Sequence, residues 1–120
     1  MMRGIGINSG RIFLYQGQCD MRRSFDRLAR MVVEELEGNP LSGDMFVFLN
    51  RDQKKIKCLY WEDGGYAIWY KRLEAGKFIR PKSKDKELDW TSWMHLLEGI
   101  EAKVIKRQQR YRIPDGKKIK

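Results

Sequence analysis

The residues whose types and spacing could do chemistry are, first of all, arginines in the stretch "CDMRRSFDRLARM" from 19 to 31. Arg23, Arg27 and Arg30 are spaced i, i+4 and i+7, so a helix over this stretch places them on one ridge. Arg22 and Arg23 also lie at the predicted helix start, where the helix dipole disfavours cations by about 0.3–1 kcal/mol each. A bound phosphate would offset that penalty, because free N–H groups and arginines both attract anions. The alternative, which stays open, is that nearby aspartates or a carboxylate in the sheet neutralise the arginines.

Aromatic and basic residues are also mixed in a predicted β-hairpin, "IKCLYWEDGGYAIWYKRLE", over residues 56–74. Its register is undecided, because a slip by one residue exchanges the two faces. A two-residue turn places on one face Lys57, Leu59, Trp61, Tyr66, Ile68, Tyr70 and Arg72; a three-residue turn places there Lys57, Leu59, Trp61, Ala67, Trp69 and Lys71. Aromatic rings beside cations are typical of single-stranded nucleic-acid platforms. Rings also fill half-buried faces of ordinary strands, so both interpretations remain.

Most of the positive charge lies at the C-terminal end of the chain. Eight basic residues and one acid from Lys103 to Lys120 give +7 of the formal net charge of +9. We therefore expect one domain over residues 1–102 and a basic tail over 103–120. Such tails often contact nucleic acid, although a solvated end that keeps the protein soluble is the alternative.

The chain offers little for catalysis or for a metal ion. A metal site needs three or four well-spaced ligands, whereas the chain has one histidine, His95, and two distant cysteines, Cys19 and Cys58. The N-terminal "GIGINSG" lacks the lysine of a phosphate-binding P-loop. We expect no enzymatic activity, metal, cofactor or small-molecule substrate. With no evident membrane span or secretory signal, we also expect a cytoplasmic protein whose thiols are reduced.

Periodicity and turn residues predict the strands that position these groups. Strands are expected over 11–17, 45–50, 56–62 and 66–74. The stretch "KFIRP" is predicted as a short edge strand closed by its proline, and "KSKDKE" as a polar link. Short polar turns between the later strands favour an antiparallel meander.

Two helices are expected beside these strands. Asp20 is predicted to cap the first, which ends near Gly38, and Asp89 to cap the second, which ends at Gly99. The first helix carries an apolar stripe formed by Met21, Phe25, Leu28, Ala29, Val32 and Leu36. The predicted fold class is α+β, an antiparallel β-sheet meander of four to five strands packed with one long and one short α-helix.

The chain resembles, over about residues 11 to 100, the TnpB-type accessory proteins of bacterial insertion-sequence family sixty-six. The resemblance rests on "DMRRSFDRLA", on "PLSGDMFVFLNRDQKKIKCLYWEDGGYAIWYKRLEAGKF" and on "LLEGI". It implies a small protein encoded beside a separate DDE transposase and a second accessory protein, which are its expected partners in supporting transposition. It brings no catalytic residues, because the acidic triad belongs to the transposase. Cys19 stands where a small polar residue such as threonine is common, and the basic tail matches no family motif.

Two functional hypotheses follow from the residues and the resemblance together. In the first, a non-catalytic transposition accessory protein contacts DNA, or a transposase–DNA complex, through Arg22, Arg23, Arg27, Arg30, Lys57, Lys71, Arg72, Lys106, Arg107 and Arg110. In the second, a protein-only adaptor docks on the transposase or the second accessory protein through Trp61, Trp69 and Tyr70. Phosphate contacts predict binding that weakens steeply with salt, whereas aromatic docking predicts weak salt dependence.

Overall fold

The computed structural model describes residues 10–99. The element order is β1 (Ile12–Leu14), α1 (Phe25–Glu35), β2 (Met45–Leu49), β3 (Lys55–Glu62), β4 (Gly65–Arg72), β5 (Glu87–Leu88) and α2 (Trp90–Glu98). The α+β class is confirmed, although α1 and α2 differ little in length, with 11 and nine residues. The predicted tail, with Lys106, Arg107 and Arg110, lies outside the described residues.

The strands form one sheet in the order β4-β3-β2-β1-β5. Strands β2, β3 and β4 make the predicted antiparallel meander. Strand β1 instead pairs in parallel with β2, with Ile12 opposite Met45. The sheet is therefore mostly antiparallel, and it differs from the prediction at one pairing. The reason is that the chain crosses over the sheet through α1 between β1 and β2. Two neighbouring parallel strands require such a crossover connection.

The β3–β4 hairpin has the two-residue turn, which settles its register. Asp63 and Gly64 form the turn, with φ angles of +50° and +82°. Two positive φ angles are typical of a type I′ turn, whose twist matches that of the flanking strands. Lys57 consequently lies opposite Tyr70, and Trp61 opposite Tyr66. These four residues share the face of the sheet that packs against α1.

Each face of the sheet buries its own apolar cluster. On one face, Leu28, Met31 and Val32 of α1 pack with a group of strand residues: Phe46, Phe48 and Leu59. On the other face, Trp93 and Leu96 of α2 belong to a cluster with Val47, Leu49, Ile56 and Cys58. All five residues of β2 are buried, as expected for a central strand covered by a helix on both sides.

Helix α1 begins later than the sequence pattern predicts. Its N-cap is Ser24, whose side chain makes no capping hydrogen bond, so the prediction that Asp20 caps the helix was wrong. Asp20 lies four residues earlier and holds a separate turn. Phe25 belongs to the predicted apolar stripe but is 44% exposed. Met31, which was not part of that stripe, is buried. The helix ends at Glu35, before the predicted Gly38.

The segment "KFIRP" is not a strand, and that prediction was wrong. Its backbone hydrogen bonds go to a turn and a helix end, because Phe78 N–H donates to the Gln53 carbonyl and Ile79 N–H to the Leu96 carbonyl. The strand at the edge beside β1 is β5, which begins at Glu87, the last residue of the predicted polar link. Asp89 caps α2 as predicted, accepting the Ser92 N–H at 2.7 Å.

Candidate nucleic-acid interface

The turn that precedes α1, residues 20–23, is held by the Asp20 carboxylate. This carboxylate accepts the Arg22 backbone N–H at 2.9 Å and pairs with the Arg22 guanidinium at 2.7 Å. Hydrogen bonding from that guanidinium holds the pKa of Asp20 well below its usual range. Local neutralisation by an aspartate, one of the two predicted interpretations, is therefore present at Arg22. The Arg22 side chain nevertheless stays 91% exposed, so most of it is open to a further partner.

Lys57 is the one charged side chain buried among residues 10–99, at 7% exposure. Its ammonium donates to the backbone carbonyls of Met21 and Arg23, both at 2.7 Å. It also lies 4.7 Å from the centre of the Tyr70 ring, within range for a cation–π interaction. Because these partners occupy the ammonium, Lys57 fixes the turn before α1, and the structure argues against the predicted phosphate contact at this residue.

An open cleft of about 410 Å³ lies beside this turn. Its lining consists of Cys19, Asp20, Met21, Arg22, Asn50, Arg51, Lys55 and Tyr70. Arg51 comes from the turn between β2 and β3, and Lys55 is the first residue of β3. Neither was among the predicted site residues. Within residues 10–99, neither forms a salt bridge.

The turn that carries Arg51 and precedes Lys55 is fixed by Asn50. Its side-chain oxygen accepts the backbone N–H groups of Lys54, at 3.1 Å, and of Lys55, at 2.9 Å. Lys55 lies directly opposite Arg72 on β4. Like charges in opposite positions destabilise a sheet, and Arg72 is partly compensated by Glu74 at 2.9 Å. No such compensation for Lys55 is found in the described part of the chain, so an anion in the cleft would relieve the repulsion.

The predicted arginine ridge is only partly formed. Arg27 and Arg30 lie on α1 and are exposed. Arg23 precedes the helix, is half-buried and points a guanidinium N–H at the Met31 sulfur, at 3.1 Å. The expectation that Arg23, Arg27 and Arg30 share one helical ridge was wrong, because the helix begins after Arg23. The remaining pair lies on the same helix face, one turn apart.

The predicted hairpin residues are divided between the two faces of the sheet. Arg72 and Tyr70 lie on the α1 face with Lys57, whereas Lys71 and Trp69 alternate to the other face. Trp69 packs against the cluster beneath α2. Of the three predicted partner-binding aromatics, Tyr70 is 49% exposed and the two tryptophans are half-buried.

Over residues 10–99, no cluster of three metal-ligating side chains is present, and neither helix is long and apolar enough to cross a membrane. Cys19 and Cys58 are free, buried thiols, and burial raises the pKa of each. At Cys19 the positive charges of Arg23 and Lys57 oppose that effect.

Residues 10–107 match the family described as IS66 Orf2 like protein. The chain belongs to this family. It is also 34% identical over 107 residues to the uncharacterized protein y4jC of Sinorhizobium fredii, covering 87% of this chain and 92% of the relative. It is 40% identical over 94 residues to the uncharacterized protein y4hO of the same organism, covering 76% and 81%. No solved structure matches it.

Membership in the IS66 Orf2-like family confirms the resemblance inferred from the residues. It makes the chain an insertion-sequence-associated accessory protein and connects it with the transposition machinery of the element. The matched range takes in both turns that line the cleft, together with α1 and the β3–β4 hairpin. The cleft is therefore part of the family domain.

Proposed function

We propose that this IS66 Orf2-like protein contacts DNA, alone or within a transposase–DNA complex, through the cleft between the Asp20 turn and the Asn50 turn. The observation that carries the proposal is the convergence of three cations, Arg22, Arg51 and Lys55, on one cleft. One carboxylate, Asp20, lines the same cleft and is already paired with Arg22. The local charge is therefore positive, although the described domain as a whole is nearly balanced.

Exposed arginines extend this positive surface along α1. Arg27 and Arg30 continue from the turn that carries Arg22, and within residues 10–99 neither forms a salt bridge. Two of the three acids of α1, Glu34 and Glu35, lie at its other end; the third, Asp26, lies in the first turn, where the arginines outnumber it. A polyanion would thus meet attraction at the start of the helix and repulsion at its end, which orients the protein on the nucleic acid.

The test is an anisotropy titration of the full chain against labelled element-end duplex, scrambled duplex and single strand at two salt concentrations. Arg22→Ala combined with Arg51→Ala should weaken binding and reduce the salt slope by about 0.7–0.9 for each phosphate that the variant no longer neutralises. Lys82→Ala combined with Lys84→Ala removes the same charge at two exposed positions in the loop before β5, and serves as the matched control. Equal effects of the two pairs would show that net charge, and no particular site, drives binding.

We propose that the predicted basic tail adds affinity for every nucleic-acid probe and does not distinguish one probe from another. Truncation after Ala102 removes a segment charge of +7, including Lys106, Arg107 and Arg110. It should weaken binding to every probe by a similar factor while leaving the effect of the paired arginine substitutions in place. A truncated protein that no longer distinguishes the two substitution pairs would contradict the role of the cleft.

A protein-only adaptor is the second candidate, favoured by the 49% exposure of Tyr70 on the hairpin. In this case the aromatic side chains Trp61, Trp69 and Tyr70 would dock on the transposase or on the second accessory protein. Trp61 packs edge-on against Tyr66, with ring centres 5.0 Å apart, so its substitution also tests packing. The expected result is a pull-down with transposase that changes little with salt and is abolished by Tyr70→Ala.

A further inference from the structure

The Tyr70 side chain is the aromatic group that lines the cleft. Its ring is covered on one face by the Lys57 ammonium, 4.7 Å from the ring centre. The residue is nevertheless 49% exposed, so Lys57 leaves part of Tyr70 open to solvent. The cleft therefore combines a partly exposed aromatic ring with the Arg22, Arg51 and Lys55 cations.

From this arrangement we infer that the cleft binds single-stranded nucleic acid, with one base stacked on the Tyr70 ring and the flanking phosphates on Arg22, Arg51 and Lys55. The inference rests on the proposed function and names its substrate class. Stacking platforms beside backbone-tracking cations are how proteins hold single strands. In a duplex the base faces are covered by neighbouring base pairs, so the ring could not reach them.

The dimensions of the cleft suit this occupant. A volume of about 410 Å³ falls in the usual range for sites that hold one small ligand, about 300–1,000 Å³. A single extruded base with its sugar is an occupant of that class, whereas a duplex presents a rod far wider than such a cleft. The cations lie on both turns, so the phosphates on either side of the base would each meet one.

Both walls of the cleft are fixed before any ligand binds. Lys57 holds the Asp20 turn through two backbone carbonyls, and Asn50 holds the opposite turn through two backbone N–H groups. Lys57 also supports the platform directly, because its ammonium lies against the Tyr70 ring. Lys57 is thus a positioning residue, and little ordering is needed when a nucleotide enters.

The experiment compares a labelled 12-nucleotide oligothymidylate with a 12-base-pair duplex, using the full chain and four variants. Tyr70→Leu should weaken single-strand binding about 5- to 150-fold, the range for loss of one stacked base, and should leave duplex binding unchanged. Tyr70→Phe keeps the ring and should bind the single strand nearly as the parent does. Trp90→Leu is the control, since Trp90 is 55% exposed on α2, which packs on the other face of the sheet.

The fourth variant, Lys57→Met, tests the positioning role. It should weaken single-strand binding while the salt slope stays as in the parent, because Lys57 contacts no phosphate. A reduced slope would instead show that Lys57 meets the nucleic acid, and would overturn that assignment. Circular dichroism confirms that each variant is folded before its affinity is compared.

The outcomes separate this inference from the proposed function. If Tyr70→Leu weakens single strand and duplex equally, or neither, the stacking site is refuted. Duplex binding that still falls with Arg22→Ala plus Arg51→Ala would then leave the proposed DNA contact standing. If the full chain binds neither probe at low salt, both the stacking site and the direct DNA contact are overturned.

Discussion

Replacing Lys57 by methionine should lower the free energy of unfolding by about 2–4 kcal/mol. The substitution keeps an unbranched side chain, shorter by one heavy atom, but removes two hydrogen bonds, at 2.7 Å, to the carbonyls of Met21 and Arg23. Leaving a buried acceptor without its donor costs about 1–3 kcal/mol, and the lower end applies to these two carbonyls because both hydrogen bonds are part-buried. Removal of the cation–π interaction with Tyr70 adds about 0.5–2 kcal/mol. The substitution also removes the desolvation cost of burying the ammonium, and this offsets part of the loss in stability.

Equilibrium unfolding in urea, followed by circular dichroism, measures this change, and Lys55→Met provides the matched control. Lys55 lies on the same strand and the same face, two residues earlier, but it lines the open cleft. Its substitution should change the free energy of unfolding by less than about 0.5 kcal/mol. If Lys57→Met lowers the free energy of unfolding by less than about 0.5 kcal/mol, the proposed stabilisation by Lys57 is refuted, since the two carbonyls would then be satisfied without the lysine. An equal loss in both variants would attribute the effect to charge and not to the hydrogen bonds.

Three further predictions test the packing, the thiols and a helix cap. Gly99→Ala should reduce stability by about 1–3 kcal/mol more than Gly64→Ala in thermal unfolding, because both have positive φ but only at Gly99 would the new Cβ collide with the Lys77 carbonyl oxygen. A thiol reagent at pH 8 should label neither Cys19 nor Cys58 until the protein is unfolded, since burial raises both pKa values. The Asp89→Ala variant should be less stable than the parent at pH 7, and the difference should shrink in thermal melts below pH 3.8. The hydrogen bond from the Ser92 N–H lowers the pKa of Asp89, so the stabilisation by this carboxylate is lost as it protonates.

The hairpin shows how far local patterns can predict this fold. The sequence "DGG" between alternating aromatic strands indicates a tight turn, and a tight turn is present at Asp63 and Gly64. The pattern left two registers open, because aromatic residues occur on both strand faces and no polar face marks the solvent side. The parallel pairing of β1 with β2 involves residues 33 positions apart. Such a pairing depends on where α1 packs, which a window of neighbouring residues does not contain.

The cleft shows where prediction of the site from residue types fails. The sequence indicates both Arg22 and Tyr70, but as parts of two separate surfaces, and the fold places them in one cleft. Lys57 is grouped with the exposed cations by its sequence pattern, although it is the buried one, because alternation along β3 alone cannot show that a turn covers it. Arg51 and Lys55 have the pattern of ordinary turn residues. The observation that could have indicated a site is that Lys55 lies opposite Arg72. This pairing can be recognised only when the register of the hairpin is known, and the sequence leaves that register open.

Two residue choices around the cleft carry a free-energy cost, and both concern positive charge. Lys57 is an ammonium buried without a carboxylate partner within the described residues, and Lys55 directly faces another cation across the sheet. Burying an ammonium costs desolvation even where its hydrogen bonds make it stabilising on balance, and like charges in opposite positions destabilise a sheet. Conflicts between local choices and the fold are expected mainly where a protein does its work. Both residues lie on β3 beside one cleft that Tyr70 also lines, and this favours the cleft over the rest of the described surface as the site of the proposed DNA contact.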